Sequence, residues 1–210
     1  GSMSILTREE AALPVQERIK LKNNQGRRLF GVRMKLIGDD GAAVPQDGQA
    51  SGELYVKGPT VISAYYNNDE ASAKSFDDDG WLATGDMARI TDDGLLFIVD
   101  RAKDLIKSGG EWISSIDLEN LAAAYPAVQE CAVIGVPHPK WDERPLLVVV
   151  ARPGAKLDKT ALLEHMAGGF ARWQLPDEVI VVDELPHTAT GKVSKLTLRE
   201  TYARHLSDAH

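Results

Sequence analysis

The chain has 210 residues, of which 43% are hydrophobic and 26% charged, a composition typical of one or two globular domains rather than of a disordered chain. Its net charge of −7 argues against binding nucleic acid by phosphate neutralisation, and no apolar run approaches the roughly 18 residues of a transmembrane helix. The single cysteine, Cys131, excludes an internal disulfide and fits a reducing compartment, so we expect a cytoplasmic protein.

The first half of the chain predicts a small antiparallel β-barrel or sandwich. Residues 1–3 (Gly-Ser-Met) resemble the remnant of a cleaved tag, and residues 4 to about 26 are polar with a weak helical pattern. Alternating apolar side chains beside Gly- and Asp-rich turns predict strands at 32–36, 52–57 and 95–99. A helix is expected at 69–76, with Asn68 or Asp69 as its cap.

The second half predicts a small α/β domain with a mixed three-stranded sheet and flanking helices, so that the whole chain is of the α+β class. Helices are expected at 116–125, 158–170 and about 195–205, the first opened by Ser114 or Ser115 and the second capped by Asp158. Strands are expected at 128–136, 146–151 and 179–182, and the run LLVVVA at 146–151 suits a central strand buried on both faces. We place the boundary between the two bodies at 100–103.

Three segments carry candidate chemistry, and the first contains Asp86, which follows Gly85 at the end of an apolar segment. A carboxylate there can accept both hydrogen bonds of a vicinal diol, although an ordinary Asp turn explains the same residues. The acidic run at 77–79 could form a metal site, but no further oxygen ligands have the required spacing, which favours a solvated turn.

The second segment, residues 100–119, reads DRAKDLIKSGGEWISSIDLE and joins the two predicted bodies. In one interpretation, Arg101 and Lys103 simply form surface ion pairs with the neighbouring aspartates. In the other, Arg101 faces a ligand and Lys103 lies where the backbone torsion angles change. The glycine pair 109–110 either lets main-chain N–H groups approach a ligand or serves a tight turn. We expect this stretch to be a mobile joint with a Ser-Gly-Gly loop.

The third segment, PHTATGK at 186–192, ends in Lys192, whose compact charge on a bendable loop suits an anionic oxygen. The Walker pattern of phosphate-binding loops is absent. His187 on this loop is either an acid–base group or a solvent-exposed histidine, and His138 between two prolines is equally ambiguous. Cys131 lies in an apolar run and is interpreted as a buried structural thiol rather than a nucleophile.

Together and in this order, these segments resemble the C-terminal part of the adenylate-forming superfamily, which includes acyl-CoA synthetases, firefly luciferases and peptide-synthetase adenylation domains. The resemblance runs from about residue 31 to 206 and rests on WLATGDMA, DRAKDLIKSGGEWISSIDLE, VIGVPHPKWDERP and LPHTATGKVSKLTLR. Within the superfamily, KSGGEWISSIDLEN and PHPKWDERPLLVVV are most similar to medium- and long-chain fatty-acyl-CoA ligases.

The resemblance implies a role for each matching residue. Asp86 would hold the ribose hydroxyls of ATP and acyl-AMP, and Arg101 would assist at the ribose or phosphate. Lys103 would be the hinge about which the C-terminal domain rotates, and Lys192 would contact the α-phosphate and the carboxylate during adenylation. The residues that would face the active site and coenzyme A during thioester formation are Lys107, Gly109, Gly110, Glu111 and Trp112.

The implied activity is formation of an acyl-adenylate from a fatty acid and ATP, followed by transfer of the acyl group to coenzyme A. Any Mg²⁺ ligands, the acyl pocket and the phosphate-binding loop would lie upstream of residue 1. We therefore expect a fragment that is inactive alone: the β-rich end of the large AMP-binding domain (4–99), a hinge (100–103) and a mobile C-terminal AMP-binding domain (104–210).

Several alternatives stay open at this stage. An adenylation module that feeds a carrier protein, a luciferase-like oxygenase and a non-catalytic nucleotide- or CoA-binding module share these segments. The sequence does not encode the length of the acid or the oligomeric state, and a homodimer is compatible with it. Relatives also suggest reversible acylation of Lys192 by a lysine acyltransferase.

Overall fold

In the computed structural model, which describes residues 2–3 and 5–206, the chain divides between Lys103 and Asp104 into two compact units. The division falls at the end of the segment 100–103 that the sequence predicts as a hinge. Each unit has its own sheet and its own buried core. The role of Lys103 as a pivot stays a prediction.

The first unit contains one six-stranded antiparallel sheet in the order β1-β2-β6-β5-β4-β3. Its strands are β1 (Ser2–Met3), β2 (Gly26–Arg28), β3 (Arg33–Ile37), β4 (Gly52–Lys57), β5 (Leu82–Ile90) and β6 (Leu95–Arg101). Its helices are α1 (Arg8–Ala11), α2 (Val15–Leu21) and α3 (Asp69–Ser75). The buried side chains that pack beside this sheet are Leu36, Leu54, Ala88, Ile90 and Leu96.

Local sequence explains several features of this unit. The Asn68 side chain accepts a hydrogen bond from Ala71 N at 3.0 Å and caps α3, as predicted. Ser2 and Met3, which we expected to lie outside the fold, pair with Arg28 and Arg27 of β2. An unpaired strand edge offers free N–H and C=O groups, so even a two-residue segment can extend the sheet.

The second unit contains a mixed sheet of five strands flanked by helices. Its strands are β7 (Ile106–Ser108), β8 (Glu111–Ile113), β9 (Val128–His138), β10 (Asp142–Ala151) and β11 (Glu178–Val182). Its helices are α4 (Ser115–Ala123), α5 (Lys159–Ala167) and α6 (Lys195–Thr201), with a 3₁₀ turn at Arg172–Gln174. Strands β10 and β11 are parallel, and the other pairs are antiparallel.

The α+β class is thereby confirmed, but the predicted three-stranded sheet is too small. The three expected strands are present as β9, β10 and β11, and a hairpin of β7 and β8 adds two more. Each hairpin strand has only three residues, so its apolar pattern is too short to stand out in the sequence. Strand β9 also continues through Pro137, where we expected it to end. Its only recorded strand partner in the described part of the chain is β10, and an edge strand tolerates a missing N–H.

Strand β10 divides the core of the second unit into two layers. Leu147 and Val149 face α4 and α5, whereas Leu146 and Val148 face the side covered by α6. All four side chains are fully buried, which confirms the prediction of a central strand buried on both faces. The Ser114 and Asp158 side chains cap α4 and α5, as their sequences predict. No helix in residues 2–3 and 5–206 is long and apolar enough to cross a membrane.

Candidate functional site

In the first unit the structure brings Asp86 and Arg101 together. They lie opposite each other on the antiparallel strands β5 and β6, and Arg101 Nε is 3.0 Å from Asp86 Oδ1. The Arg101 side chain is 57% exposed and the Asp86 side chain 26%, so the pair faces solvent on one side. A carboxylate with free acceptor capacity beside an exposed guanidinium can bind hydroxyl groups and an anion together.

A local distortion of β5 presents Asp86. Tyr55 of β4 pairs with Ala83 and Glu53 pairs with Met87, so the three residues 84–86 lie opposite one residue of β4. The irregularity is supported by the Thr84 hydroxyl, which donates to a β4 carbonyl oxygen at 3.0 Å and accepts from Asp86 N at 3.2 Å. Asp86 therefore lies within a bulged strand, and its interpretation as an ordinary Asp turn is wrong.

The aspartates around the predicted hinge have partners of their own. Asp104 Oδ1 accepts from Arg199 Nη1 of α6 at 2.7 Å, and only 12% of the Asp104 side chain is exposed. Asp100 is buried and accepts from Arg101 N at 2.7 Å. Lys103, between them, lies in an exposed turn. Arg101 forms a side-chain ion pair with Asp86, a partner that neither interpretation from the sequence named, and its role towards a ligand stays a prediction.

In the second unit, the predicted Ser-Gly-Gly loop is the turn of the β7–β8 hairpin. Lys107 pairs with Trp112 across the hairpin, and Gly109 and Gly110 form the turn with φ values of 60° and 89°. Glycine adopts positive φ at little cost, which decides in favour of the tight turn at this position. Ile106 and Ile113 lie in the core of the second unit, so residues 106–113 are part of that unit, and the mobility of the joint stays a prediction.

The exposed face of the hairpin combines a cation with an aromatic ring. The Lys107 ammonium lies 5.5 Å from the centre of the Trp112 ring, and Trp112 is 40% exposed. Glu111 follows the turn and is also exposed. A neighbouring pair has the same composition, with the Lys140 ammonium 4.5 Å from the centre of the Trp141 ring. Such surfaces suit a ligand that has both a planar group and negative charge.

The loop that carries Lys192 is closed by backbone hydrogen bonds. Thr188 N donates to Lys192 O at 2.7 Å, and Gly191 N donates to Thr188 O at 2.9 Å with Gly191 at φ 78°. Lys192 is exposed, and within the described residues no carboxylate pairs with its ammonium group. The loop therefore fixes the Lys192 backbone and leaves its charge available.

The base of this loop is attached to β9 by an ion pair. His187 Nε2 lies 2.8 Å from Glu130 Oε1, and the hydrogen bond to this carboxylate raises the pKa of His187 above its ordinary value. About a third of each side chain is exposed, so solvent screens the pair. His187 is exposed, as one interpretation of the sequence predicts, and it also attaches the loop through Glu130, a contact that the sequence does not show.

The other cations of the basic C-terminal segment are paired. Lys195 Nζ lies 2.7 Å from Glu119 Oε1 and also donates to Ser115 Oγ at 2.7 Å, while Arg199 pairs with Asp104. These contacts attach α6 to α4 and to the start of the second unit. They leave Lys192 as the cation of the 187–199 segment that is free to meet a ligand.

Two sequence-based alternatives can now be decided. Burial and the nearby Glu119 carboxylate raise the pKa of Cys131 to about 12, so its thiol stays protonated and is a poor nucleophile, as predicted.

In the run 77–79, Asp77 pairs with Lys35 at 2.8 Å and accepts from Trp81 N, so it stabilises a turn. Lys35 also holds the pKa of Asp77 below its usual range.

Comparison with known proteins identifies the family. Residues 117–192 match the family described as AMP-binding enzyme C-terminal domain. Over 194 residues the chain is 51% identical to 3-methylmercaptopropionyl-CoA ligase from Ruegeria pomeroyi, an alignment that covers 92% of this chain and 35% of that protein. Over 190 residues it is 46% identical to medium-chain-fatty-acid–CoA ligase from Ectopseudomonas oleovorans, covering 90% and 34%. The chain belongs to the adenylate-forming superfamily.

Solved structures agree with this assignment. The chain matches ATP-bound MatB from Rhodopseudomonas palustris with a TM-score of 0.77 and 36% identity, covering 88% of this chain and 36% of that one. It matches o-succinylbenzoate CoA synthetase from Bacillus subtilis, in complex with an acyl-adenylate, with a TM-score of 0.78 and 31% identity, covering 89% and 37%. The chain spans about a third of the length of the curated relatives it matches.

The described residues of this chain do not include a set of ligands for a metal ion. Among them, no group of three or more His, Cys, Asp or Glu side chains is arranged to hold one. Magnesium is small and prefers an octahedral shell of oxygen ligands, to which a turn such as 77–79 contributes too few. We therefore assign no ligand for Mg²⁺ and no chemical step through it.

Sequence reasoning missed the residues that support the candidate groups. The segment 141–144 was noticed only as part of a resemblance, yet it contacts the β7–β8 hairpin directly. Its signal was a charged Asp-Glu-Arg run immediately before six apolar residues, where a buried cation needs a partner. Glu130 and Glu119 gave no comparable signal, because a carboxylate on a partly exposed surface is ordinary.

Proposed function

We propose that this chain is part of an ATP-dependent ligase that joins a fatty acid to coenzyme A by way of an acyl-adenylate. The observation that carries the proposal is the Lys192 loop, whose backbone is fixed while the ammonium group is exposed without a carboxylate partner in the described residues. A cation held in this way is suited to an anion that arrives from solution. The relatives named as CoA ligases support the same activity.

In the first step, the carboxylate of the acid attacks the α-phosphorus of ATP and pyrophosphate leaves. Both reactants are anions, so the step needs positive charge at the point where they meet. Lys192 would supply that charge, and one such donor is typically responsible for about 10²–10³ in rate. Asp86 would accept hydrogen bonds from the ribose hydroxyls, with Arg101 beside it at the ribose or phosphate.

In the second step, the thiol of coenzyme A attacks the acyl carbonyl and AMP leaves. We assign this step to the β7–β8 hairpin, where the tight turn of Gly109 and Gly110 presents a surface on which Lys107 brings a cation. Glu111 and Trp112 complete the face that would meet coenzyme A. Two steps with different nucleophiles need different groups, so we propose that residues 104–210 rotate about Lys103 between them.

For the carboxylic acid substrate, we propose a chemical class and not a single compound. Relatives named for medium- and long-chain fatty acids are each 46% identical to the chain, which supports a fatty acid. A second candidate is 3-methylmercaptopropionate, since the two relatives named for that acid are 51% and 49% identical. A thioether is an apolar group of adaptable shape, so both candidates call for a largely apolar acyl pocket.

The test uses the longer ligase that we propose contains this chain. Purified protein is supplied with ATP, coenzyme A and, in separate reactions, 3-methylmercaptopropionate and straight-chain acids of increasing length. We expect acid-dependent release of pyrophosphate and an acyl-CoA product with the mass of the supplied acid. Pyrophosphate release without any acyl-CoA would instead support an adenylation module that feeds a carrier protein. The absence of both products would support a non-catalytic binding module.

The 210-residue chain alone is proposed to be inactive. It spans about a third of the length of the relatives that it matches. The same assay applied to this chain should give no acyl-CoA above the level without enzyme. Turnover of acid, ATP and coenzyme A by the 210-residue chain would contradict the proposal.

A further inference from the structure

The segment 141–144 lies directly beside the β7–β8 hairpin and forms hydrogen bonds with its backbone. Gly109 N donates to Trp141 O at 2.9 Å. Lys107 N donates to the Glu143 carboxylate at 3.1 Å. Gly109 lies in the turn and Lys107 lies in β7, so the hairpin is attached to the segment 141–144 as well as through its own strand pairing.

Close steric contacts accompany these hydrogen bonds. A Cβ atom at Gly109 would lie 3.0 Å from the Trp141 ring, and a Cβ atom at Gly135 would lie 2.7 Å from the Glu143 carboxylate. Gly109 also has a φ of 60°, so a side chain there would be strained, whereas at Gly135 the flexible end of Glu143 could move aside. The fit between the hairpin and the segment 141–144 is therefore determined by packing as well as by hydrogen bonds.

Arg144 provides the buried part of this attachment. It is 8% exposed, and its Nη1 donates to Ser108 Oγ at 3.0 Å, where Ser108 is 4% exposed. Its Nε lies 2.9 and 3.0 Å from the two oxygens of Asp177. The same guanidinium donates to Trp173 O at 2.6 Å and Leu175 O at 3.2 Å.

This arrangement suits positioning better than simple packing. Burying a guanidinium is costly, and an apolar side chain of similar volume would fill the space at a lower cost. Unlike an apolar side chain, arginine ends in a planar guanidinium group whose N–H groups point in fixed directions. Asp177 and Leu175 O hold Nε and Nη2, and Nη1 donates both to Trp173 O and to Ser108, the residue between Lys107 and Gly109.

We propose that Arg144 is the positioning residue of the β7–β8 hairpin and thereby determines the rate of the step that the hairpin serves. The functional part rests on the proposed function, in which that step is attack by coenzyme A. Arg144 acts through Ser108 and does not contact the substrate. Because Lys192 lies on a different loop, Arg144 has no part in acyl-adenylate formation.

The first measurement is hydrogen exchange of the 210-residue chain, which needs no activity. Ser108→Ala removes the hydroxyl that Arg144 contacts and leaves the Arg144–Asp177 pair intact. We expect backbone exchange in residues 106–113 to become about tenfold faster, the effect of one lost hydrogen bond. The matched control is Ser72→Ala, which removes a hydroxyl with two hydrogen bonds in the first unit and should leave hairpin exchange unchanged.

The second measurement separates the two half-reactions in the longer ligase. In Ser108→Ala, conversion of supplied acyl-adenylate to acyl-CoA should fall about tenfold while acid-dependent pyrophosphate release stays unchanged. Arg144→Lys keeps the positive charge but loses the planar guanidinium group that positions the hairpin. A hairpin that is misplaced in this way can reduce the rate of thioester formation on the order of 10²-fold. If Arg144→Lys fails to fold, Ser108→Ala alone decides.

The outcomes distinguish this proposal from the proposed function. Unchanged hairpin exchange in Ser108→Ala would overturn the positioning role, as would an equal loss of both half-reactions. If the wild-type ligase forms no acyl-adenylate, the proposed function fails, and the exchange measurement still decides whether Arg144 holds the hairpin.

Discussion

The two glycine-bearing loops of the second unit are held in different ways. The β7–β8 hairpin is attached on several sides: by Ile106 and Ile113 in the core, by the segment 141–144, and by Arg144 through Ser108. The Lys192 loop is closed by its own backbone and attached at its base by the exposed His187–Glu130 pair.

Glycine beside charged residues does not by itself indicate mobility. In the hairpin, Gly109 allows close packing against Trp141, and the result is a fixed surface. At Gly191, no atom lies within 4 Å of the position of a Cβ atom, so glycine there serves only the turn. We interpret the hairpin as a pre-formed surface. We interpret the Lys192 loop as a segment that carries an exposed cation and is attached to the rest of the unit by few contacts.

The largest expected effect concerns the charge of Lys192. In the longer ligase, Lys192→Ala should lower the rate of acyl-adenylate formation by about 10²–10³, because the charge that offsets two anions is lost. Lys192→Arg keeps the charge and should recover part of the rate. Lys156→Ala, at an exposed lysine before α5, is the control and should have the wild-type rate. A wild-type rate in Lys192→Ala would contradict the role of this loop.

The next effect compares two glycines of one turn. Gly109→Ala and Gly110→Ala both place a side chain at positive φ, which costs roughly 1–2 kcal/mol of stability. In Gly109→Ala the new Cβ atom would also lie 3.0 Å from the Trp141 ring, which must then move by a few tenths of an ångström, so we expect a larger loss than in Gly110→Ala. Urea unfolding of the 210-residue chain, followed by hydrogen exchange of residues 106–113, measures the difference. Equal losses in the two variants would show that the hairpin is not closely packed.

The smallest effect tests the attachment of the Lys192 loop. Glu130 raises the pKa of His187 in the folded state. The pair therefore contributes its full stabilisation below the ordinary histidine pKa, which is about 6.5. This contribution is lost as the pH rises through the raised pKa of the folded state. Glu130→Gln removes the charge. Its melting temperature should therefore lie below that of the wild type at about pH 6, with a difference that disappears by about pH 9. A difference that is independent of pH would contradict the ion pair.

Much of the fold could be predicted because its signals are local. The caps Asn68, Ser114 and Asp158 lie immediately before helical patterns, and the run at 146–151 has the continuous apolar character of a strand covered on both faces. Strand β5 was missed because Thr84-Gly85-Asp86 has the composition of a turn. Only pairing with β4 and β6 shows that these residues form a bulge within a strand.

The candidate site was predictable to a different degree. Asp86, Arg101 and Lys192 were identified because their segments resemble a known family, and the structure adds the contact between the first two. The hairpin carried a weak local signal, a Gly-Gly pair between two short alternating runs. Arg144 could not be assigned, since its partners Ser108 and Asp177 are 36 and 33 residues away in the sequence.

The most direct test is a crossed measurement of both half-reactions in Lys192→Ala and Lys107→Ala of the longer ligase. Acid-dependent pyrophosphate release reports adenylation, and conversion of supplied acyl-adenylate to acyl-CoA reports thioester formation. We predict that Lys192→Ala loses the first and keeps the second, and that Lys107→Ala shows the reverse pattern. Loss of both half-reactions to the same extent in each variant would contradict the assignment of the two loops to two steps.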